Sequence, residues 1–150
     1  MNIKVQETAD RLLNRIGVST CSFTTVKAAK RTLEEEGACV LSMQKPHWDL
    51  EPGKTYLVTQ SDSSLFAFSI GSQFLAEEAA ETDQMIRLAA AHTDHPCLYI
   101  KSNPEVDTKG YGKLNVEVYG GAILNTWMDR ALSVAGGITE YKGRNLVFSE

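Results

Sequence analysis

The 150-residue sequence has no run of about 18 consecutive apolar residues, so it offers no membrane-spanning helix. It also lacks an excess of positive charge. Fifteen Lys and Arg face nineteen Asp and Glu, a formal charge of −4, and no basic block is present to follow a phosphate backbone. Neither nucleic acid nor a membrane is an expected partner. Cysteine is scarce and poorly spaced: Cys21, Cys39 and Cys97 are an odd number without C-x-x-C spacing, which suggests neither a disulfide framework nor a zinc knuckle. They read as buried or incidental thiols. The opening segment Met1-Asn2-Ile3-Lys4-Val5-Gln6-Glu7 interrupts its apolar residues with charge at once, unlike a signal peptide, so a cytoplasmic protein is expected. No internal repeat or low-complexity tract occurs.

What is present is ordinary globular composition, 43% hydrophobic and 23% charged, enough for one domain with a real core. Val5, Ala9, Leu12, Leu13 and Ile16 recur at helical spacing up to Gly17, which predicts an amphipathic helix ending there. A second helix is predicted from a cap at Ser22 or Thr24, with Val26, Ala29 and Leu33 on one face and its end at Gly37. From Ala38 the pattern becomes short β-like runs at 39–43, 56–59 and 65–70. The last two form a predicted hairpin around Gln60-Ser61-Asp62-Ser63-Ser64, entered from a bend at Pro52-Gly53. Residues 72–84 suit a short helix or an exposed connection. Further strands are predicted at 85–91, 97–101, 114–119, 131–139 and 146–148, the last pair joined by a turn at Tyr141-Lys142-Gly143-Arg144. Helices followed by many strands imply α/β or α+β architecture.

The run Met85–Ala91 leads straight into His92-Thr93-Asp94-His95-Pro96, and the C-terminal end of a strand is where α/β enzymes tend to place chemistry. In an extended segment, residues i and i+2 project to the same side, so His92 and Asp94 can converge. An imidazole suits zinc, and a nearby carboxylate can accept its second ring N–H, fixing tautomer and orientation. The H-x-D pair alone also fits a hydrogen-bonded His beside a solvated Asp.

The stretch from Ala91 to Lys101, the block Gly120-Gly121-Ala122-Ile123-Leu124-Asn125-Thr126-Trp127-Met128-Asp129-Arg130 continuing to Gly136, and the upstream Trp48-x-Leu50-x-Pro52-Gly53 with Ser63-Ser64-Leu65-x-Ala67-Phe68 together resemble the aspartyl aminopeptidase family of zinc metallopeptidases. The likeness runs nearly end to end. It implies a cocatalytic two-zinc exopeptidase that removes N-terminal Asp or Glu from peptides by metal-activated water attack and assembles into large homo-oligomers. It also implies an α/β fold, a three-layer α/β/α sandwich with a mixed sheet, interrupted by an inserted β-rich domain.

Carried over residue by residue, His92 would be a zinc ligand and Asp94 the carboxylate that orients it. The family commonly has H-T-D-S-P where this chain has His95, which leaves His95 between a substrate contact, an opportunistic ligand and a loop residue. Trp127, Asp129 and Arg130 match a family signature read as structural, a Trp packed on a strand near an Asp–Arg ion pair. The family's bridging Asp, Glu-Glu pair, further carboxylate and last His lie downstream of the inserted domain, and Glu77-Glu78 is not assigned that role. Residues 1–150 are therefore expected to be the N-terminal part of the catalytic domain, ending near the start of the inserted domain and inactive in isolation. The alternative is a non-catalytic module that associates with itself or with a parent peptidase.

Overall fold

A computed structural model describes residues 3–72, 86–142 and 145–149. They fall into two compact units, residues 1–93 with 135–150, and residues 94–134.

In the first unit, helix α1 spans Ile3–Val18 and α2 spans Ser22–Glu35. α1 runs through Gly17 to Val18, one residue beyond the predicted stop, because glycine tolerates helical dihedrals as readily as the left-handed ones that end a helix. The cap of α2 is also displaced: Cys21, extended at φ −153°, takes the position expected of Ser22 or Thr24. Thr24 acts from inside the first turn instead, its hydroxyl accepting the Cys21 N–H at 3.0 Å, which satisfies the donor that precedes the helix. The predicted end at Gly37 holds. Gly37 adopts φ +91°, its N–H donates to Glu34 O at 3.0 Å, and the Ala38 N–H donates to Leu33 O at 2.9 Å. That pair of bonds is the Schellman arrangement, which needs a residue free to enter the left-handed region.

Three strands follow in one mixed sheet of order β1-β2-β3: β1 Cys39–Val40, β2 Thr55–Gln60 and β3 Ser64–Ser69. β1 runs parallel to β2, and β2 runs antiparallel to β3 with Tyr56 opposite Phe68 and Val58 opposite Phe66. Helices with a mixed sheet make this the α/β class expected from the sequence. The turn Glu51-Pro52-Gly53-Lys54 sets up β2, with the Glu51 N–H donating to the Tyr56 hydroxyl at 2.7 Å. The predicted hairpin forms around Ser61 and Asp62, both at φ 52°, the handedness that matches strand twist.

Tyr56, Leu57 and Val58 are buried consecutively, so β2 is covered on both faces. α2 packs against β2 and β3 and buries Val26. An aromatic group joins Phe68 to Tyr56 and Phe66, with ring centroids 5.6 Å apart in each case, and to Trp48 at 6.4 Å. The Trp48 indole N–H is satisfied by Ser42 O at 2.9 Å. By contrast no residue of α1 is buried.

The predicted strand over 85–91 is not formed among the described residues: 86–91 join no ladder, and Ile86 and Leu88 are 94% and 81% exposed. An apolar run supplies β propensity, but a strand exists only where a neighbour completes its hydrogen bonds. Most of the predicted 72–84 connection lies outside the described residues. The last hairpin, β6 Ile138–Lys142 with β7 Asn145–Ser149, starts later than the predicted 131–139 strand. Gly136-Gly137 brings no side chain to pack, and pairing begins only after it. Gly143 and Arg144 of the predicted turn lie outside the described residues.

The second unit is built on the antiparallel pair β4 Cys97–Thr108 and β5 Tyr111–Tyr119. Both exceed the predicted 97–101 and 114–119. Their register shifts between Ile100 and Glu105, where Pro104 has no N–H to give the ladder. Pairing then resumes toward the tight turn at Lys109-Gly110.

Leu57 is fully buried and is the centre of the small core. Leu57→Ala is expected to destabilise the chain by about 2–5 kcal/mol. Ile16→Ala, at a position 60% exposed, should shift stability by less than about 0.5 kcal/mol. Urea unfolding followed by far-ultraviolet circular dichroism distinguishes the two.

Candidate metal site

The candidate residues of the His92–Pro96 segment belong to both units, His92 and Thr93 to the first and Asp94 to Pro96 to the second. On the first side, the Thr93 hydroxyl donates to Ser63 O at 2.8 Å, tying the backbone just after His92 to the β2–β3 turn. His92 follows the 86–91 run, which joins no ladder, and is exposed. An exposed imidazole can offer a ring nitrogen to a metal without first leaving a core.

On the second side, Asp94 is half-buried and its Oδ2 accepts a hydrogen bond from the Tyr119 hydroxyl at 2.7 Å. Strand register brings that tyrosine in: Tyr119 is the β5 partner of Cys97, three residues after Asp94. Tyr99 meets the Tyr119 ring edge-on at 4.8 Å. Gly120 then turns the chain at φ +79°, and a Cβ at that position would come within 3.2–3.3 Å of the Pro96 backbone and ring. The close approach of 120 to 96 therefore requires glycine on two grounds, handedness and space.

The Asp94 carboxylate also sets local acidities. The Tyr119 phenol is held above its ordinary range, first by the hydrogen bond to Asp94 and then by that carboxylate's negative charge. The Cys97 thiol is pushed up by burial first and by Asp94 second, so it is a poor nucleophile and a poor metal ligand at neutral pH.

Among the described residues, no group of three or more His, Cys, Asp or Glu draws together in a way that could hold a metal ion. Zinc takes about four ligands, and no such set is gathered among the described residues. His95 is exposed and has no hydrogen-bond or ion-pair partner among the described residues.

Tyr119 was not legible as a partner of Asp94, because the register of a hairpin, not any spacing, carries it across 25 positions to that carboxylate. The Trp127 signature is placed differently from the expectation. Trp127 ends a 3₁₀ turn at Leu124–Thr126 and lies on no strand. Asp129 sits at φ 57°, and no ion pair joins it to Arg130 among the described residues. A left-handed residue reverses the chain locally and separates side chains that sequence adjacency suggested were paired.

Because the folded phenol of Tyr119 binds its proton more tightly than the unfolded one, the sign of its linkage is set. Its contribution to stability is complete below the ordinary tyrosine range and is lost as pH rises through the raised value. Asp94→Asn should lower the ionisation toward the ordinary range. Phenolate absorbance, taken as the difference from Tyr119→Phe, reads that shift.

The family model described as aminopeptidase I zinc metalloprotease (M18) matches residues 16–147. The chain is 42% identical over 143 residues to a probable M18 family aminopeptidase 2 of Clostridium novyi strain NT, covering 95% of this chain and 31% of that protein. It is 41% identical over 128 residues to a protein of the same description from Stutzerimonas stutzeri, covering 85% and 28%. Among solved structures, it superposes on a chain of the cryo-EM structure of the Ape4 and Nbr1 complex with TM-score 0.83 and 28% identity, covering 97% of this chain and 27% of that one. For the structure of Chaetomium thermophilum mApe1 the TM-score is 0.74 at 27% identity, with coverage of 92% and 31%. The chain thus spans about a third of the length of the curated relatives it matches. With the family match extending from within α1 to within β7, this chain belongs to the M18 family of aminopeptidase I zinc metalloproteases.

Proposed function

We propose that residues 1–150 are the N-terminal part of the catalytic domain of a zinc aminopeptidase, ending near the start of an inserted β-rich domain. The observation that carries this is the exposed His92 in its H-x-D segment, inside the region matched to a zinc metalloprotease family. His92 ligates zinc in this reading, and Asp94 accepts its other ring N–H. A carboxylate has about four lone-pair sites, so the bond from Tyr119 is compatible with that second task. Zinc, when bound, supplies Lewis acidity toward the peptide carbonyl and toward water. Two ions per site, N-terminal Asp or Glu as the residue removed and homo-oligomeric assembly are supported by the family resemblance, and a cytoplasmic location is proposed beside them. His95 is read as an exposed loop residue or a substrate contact.

This chain's residues contribute one ligand, its orientation and its placement on a pinned loop. The remaining ligands and the base for proton transfer come from elsewhere in the longer protein, so the isolated chain is catalytically incomplete. The exposed apolar side chains of α1, with Leu12, Leu13 and Ile16 at 58%, 63% and 60% exposure, favour a second reading, a module that associates with its own kind or with the parent. Sizing chromatography separates that reading, a discrete assembly, from a polydisperse fragment.

In the longer protein, His92→Ala should lower both zinc content and turnover of a Glu-anilide to background. Asp94→Asn should weaken zinc retention or activity about 10- to 100-fold. The 150-residue chain alone should retain almost no zinc after dialysis and release no product from Glu- or Asp-anilide. Zinc-dependent turnover by that chain would overturn the claim of incompleteness, and a preference for Leu- over Glu-anilide in the longer protein would overturn the acidic specificity.

A further inference from the structure

We propose that residues 86–91 are a strap poised to close on the free edge of β3, adding a fourth, antiparallel strand to the sheet of the first unit. The inference stands on that unit alone and holds whether or not His92 binds a metal. β3 is the last strand in the order β1-β2-β3, and among the described residues its outer edge has no partner. The Ile70 N–H, just past β3, donates to Lys54 O at 3.0 Å on the β2 side. Because backbone groups alternate in direction along a strand, the N–H and C=O of Leu65, Ala67 and Ser69 point to the free edge. The 86–91 run joins no ladder, yet one end of it is already tied to β3: the Thr93 hydroxyl, two residues beyond the run, donates at 2.8 Å to the carbonyl of Ser63, one residue before the strand.

That tie fixes direction and register. A chain that reaches Ser63 at Thr93 can lie along β3 only antiparallel to it. With 93 opposite 63, Ala91, Ala89 and Arg87 fall opposite Leu65, Ala67 and Ser69, the three residues whose backbone groups face outward. The alternate residues Ala90, Leu88 and Ile86 fall opposite Phe66, Phe68 and Ile70, on the face of the aromatic group. Phe66 is 54% exposed, Leu88 81% and Ile86 94%, so closure removes apolar surface of both partners from water. A slip of one residue would set Arg87 opposite Phe68 and turn Leu88 to the other face. Three consecutive alanines give the run little strand propensity of its own, so it depends on the edge to order it. Closed, the strap sets His92 opposite Ser64, and its state thereby governs where the His92 backbone stands.

The test is a paired-cysteine experiment on the full 150-residue chain, with the free thiols removed by Cys21→Ser, Cys39→Ser and Cys97→Ser. Ala90→Cys with Phe66→Cys sets two thiols directly opposite one another in the closed register, with Cβ atoms about 4.5–5.5 Å apart, close to disulfide geometry. Ala89→Cys with Phe66→Cys sets them on opposite faces of the sheet. The expected result is that the first pair forms its disulfide at least about tenfold faster than the second on mild oxidation. Equal rates, the behaviour of an unpaired run that meets β3 at random, or no disulfide in either pair would overturn the proposal. Should the Phe66→Cys variants not fold, amide hydrogen exchange of the unaltered chain decides. Protection at Arg87, Ala89 and Ala91 that alternates with fast exchange at Leu88 and Ala90 supports closure. Fast exchange throughout 87–91 overturns it, and if Leu65, Ala67 and Ser69 are protected all the same, the edge belongs to another segment.

Discussion

The pairing of β2 on both of its edges is the constraint on which the first unit depends. Parallel to β1 on one side and antiparallel to β3 on the other, β2 places Leu57 where no solvent reaches and gives α2 a surface to pack on. The same hairpin has a turn whose carbonyl, Ser63 O, accepts the Thr93 hydroxyl. The turn of this hairpin thereby holds the residue adjacent to His92. Among the described residues the core is small, and α1 and the 86–91 run contribute nothing buried to it.

The second unit solves a different problem, holding a carboxylate with almost no core. β4 and β5 carry many exposed side chains, including Tyr111, Leu114 and Val118 at 73%, 53% and 49%. Order near Asp94 comes instead from directional contacts: a strand register, an edge-on ring pair, a glycine pressed on a proline and a short hydrogen bond. Such contacts are individually modest, but they act together around one side chain.

The chain spans about a third of the length of the curated relatives it matches. Its described residues expose apolar side chains along α1 and at Ile86 and Leu88, and among them no group of three or more metal donors is gathered.

Local chemistry determined a good deal by itself. Apolar spacing located both helices, Gly37 marked the end of α2, Pro52-Gly53 and the polar 60–64 run marked a bend and a hairpin, and the H-x-D segment with its flanking blocks identified the family. These are signals written within a few residues of where they act. What depended on distant partners was decided only by tertiary structure. The 86–91 run could not show that no described strand would pair with it, Pro104 interrupted a hairpin that continues beyond it, and the Trp127 block became a 3₁₀ turn. Tyr119 reached Asp94 through strand register, a relation between residues 25 apart that hydrogen-bond pairing alone establishes.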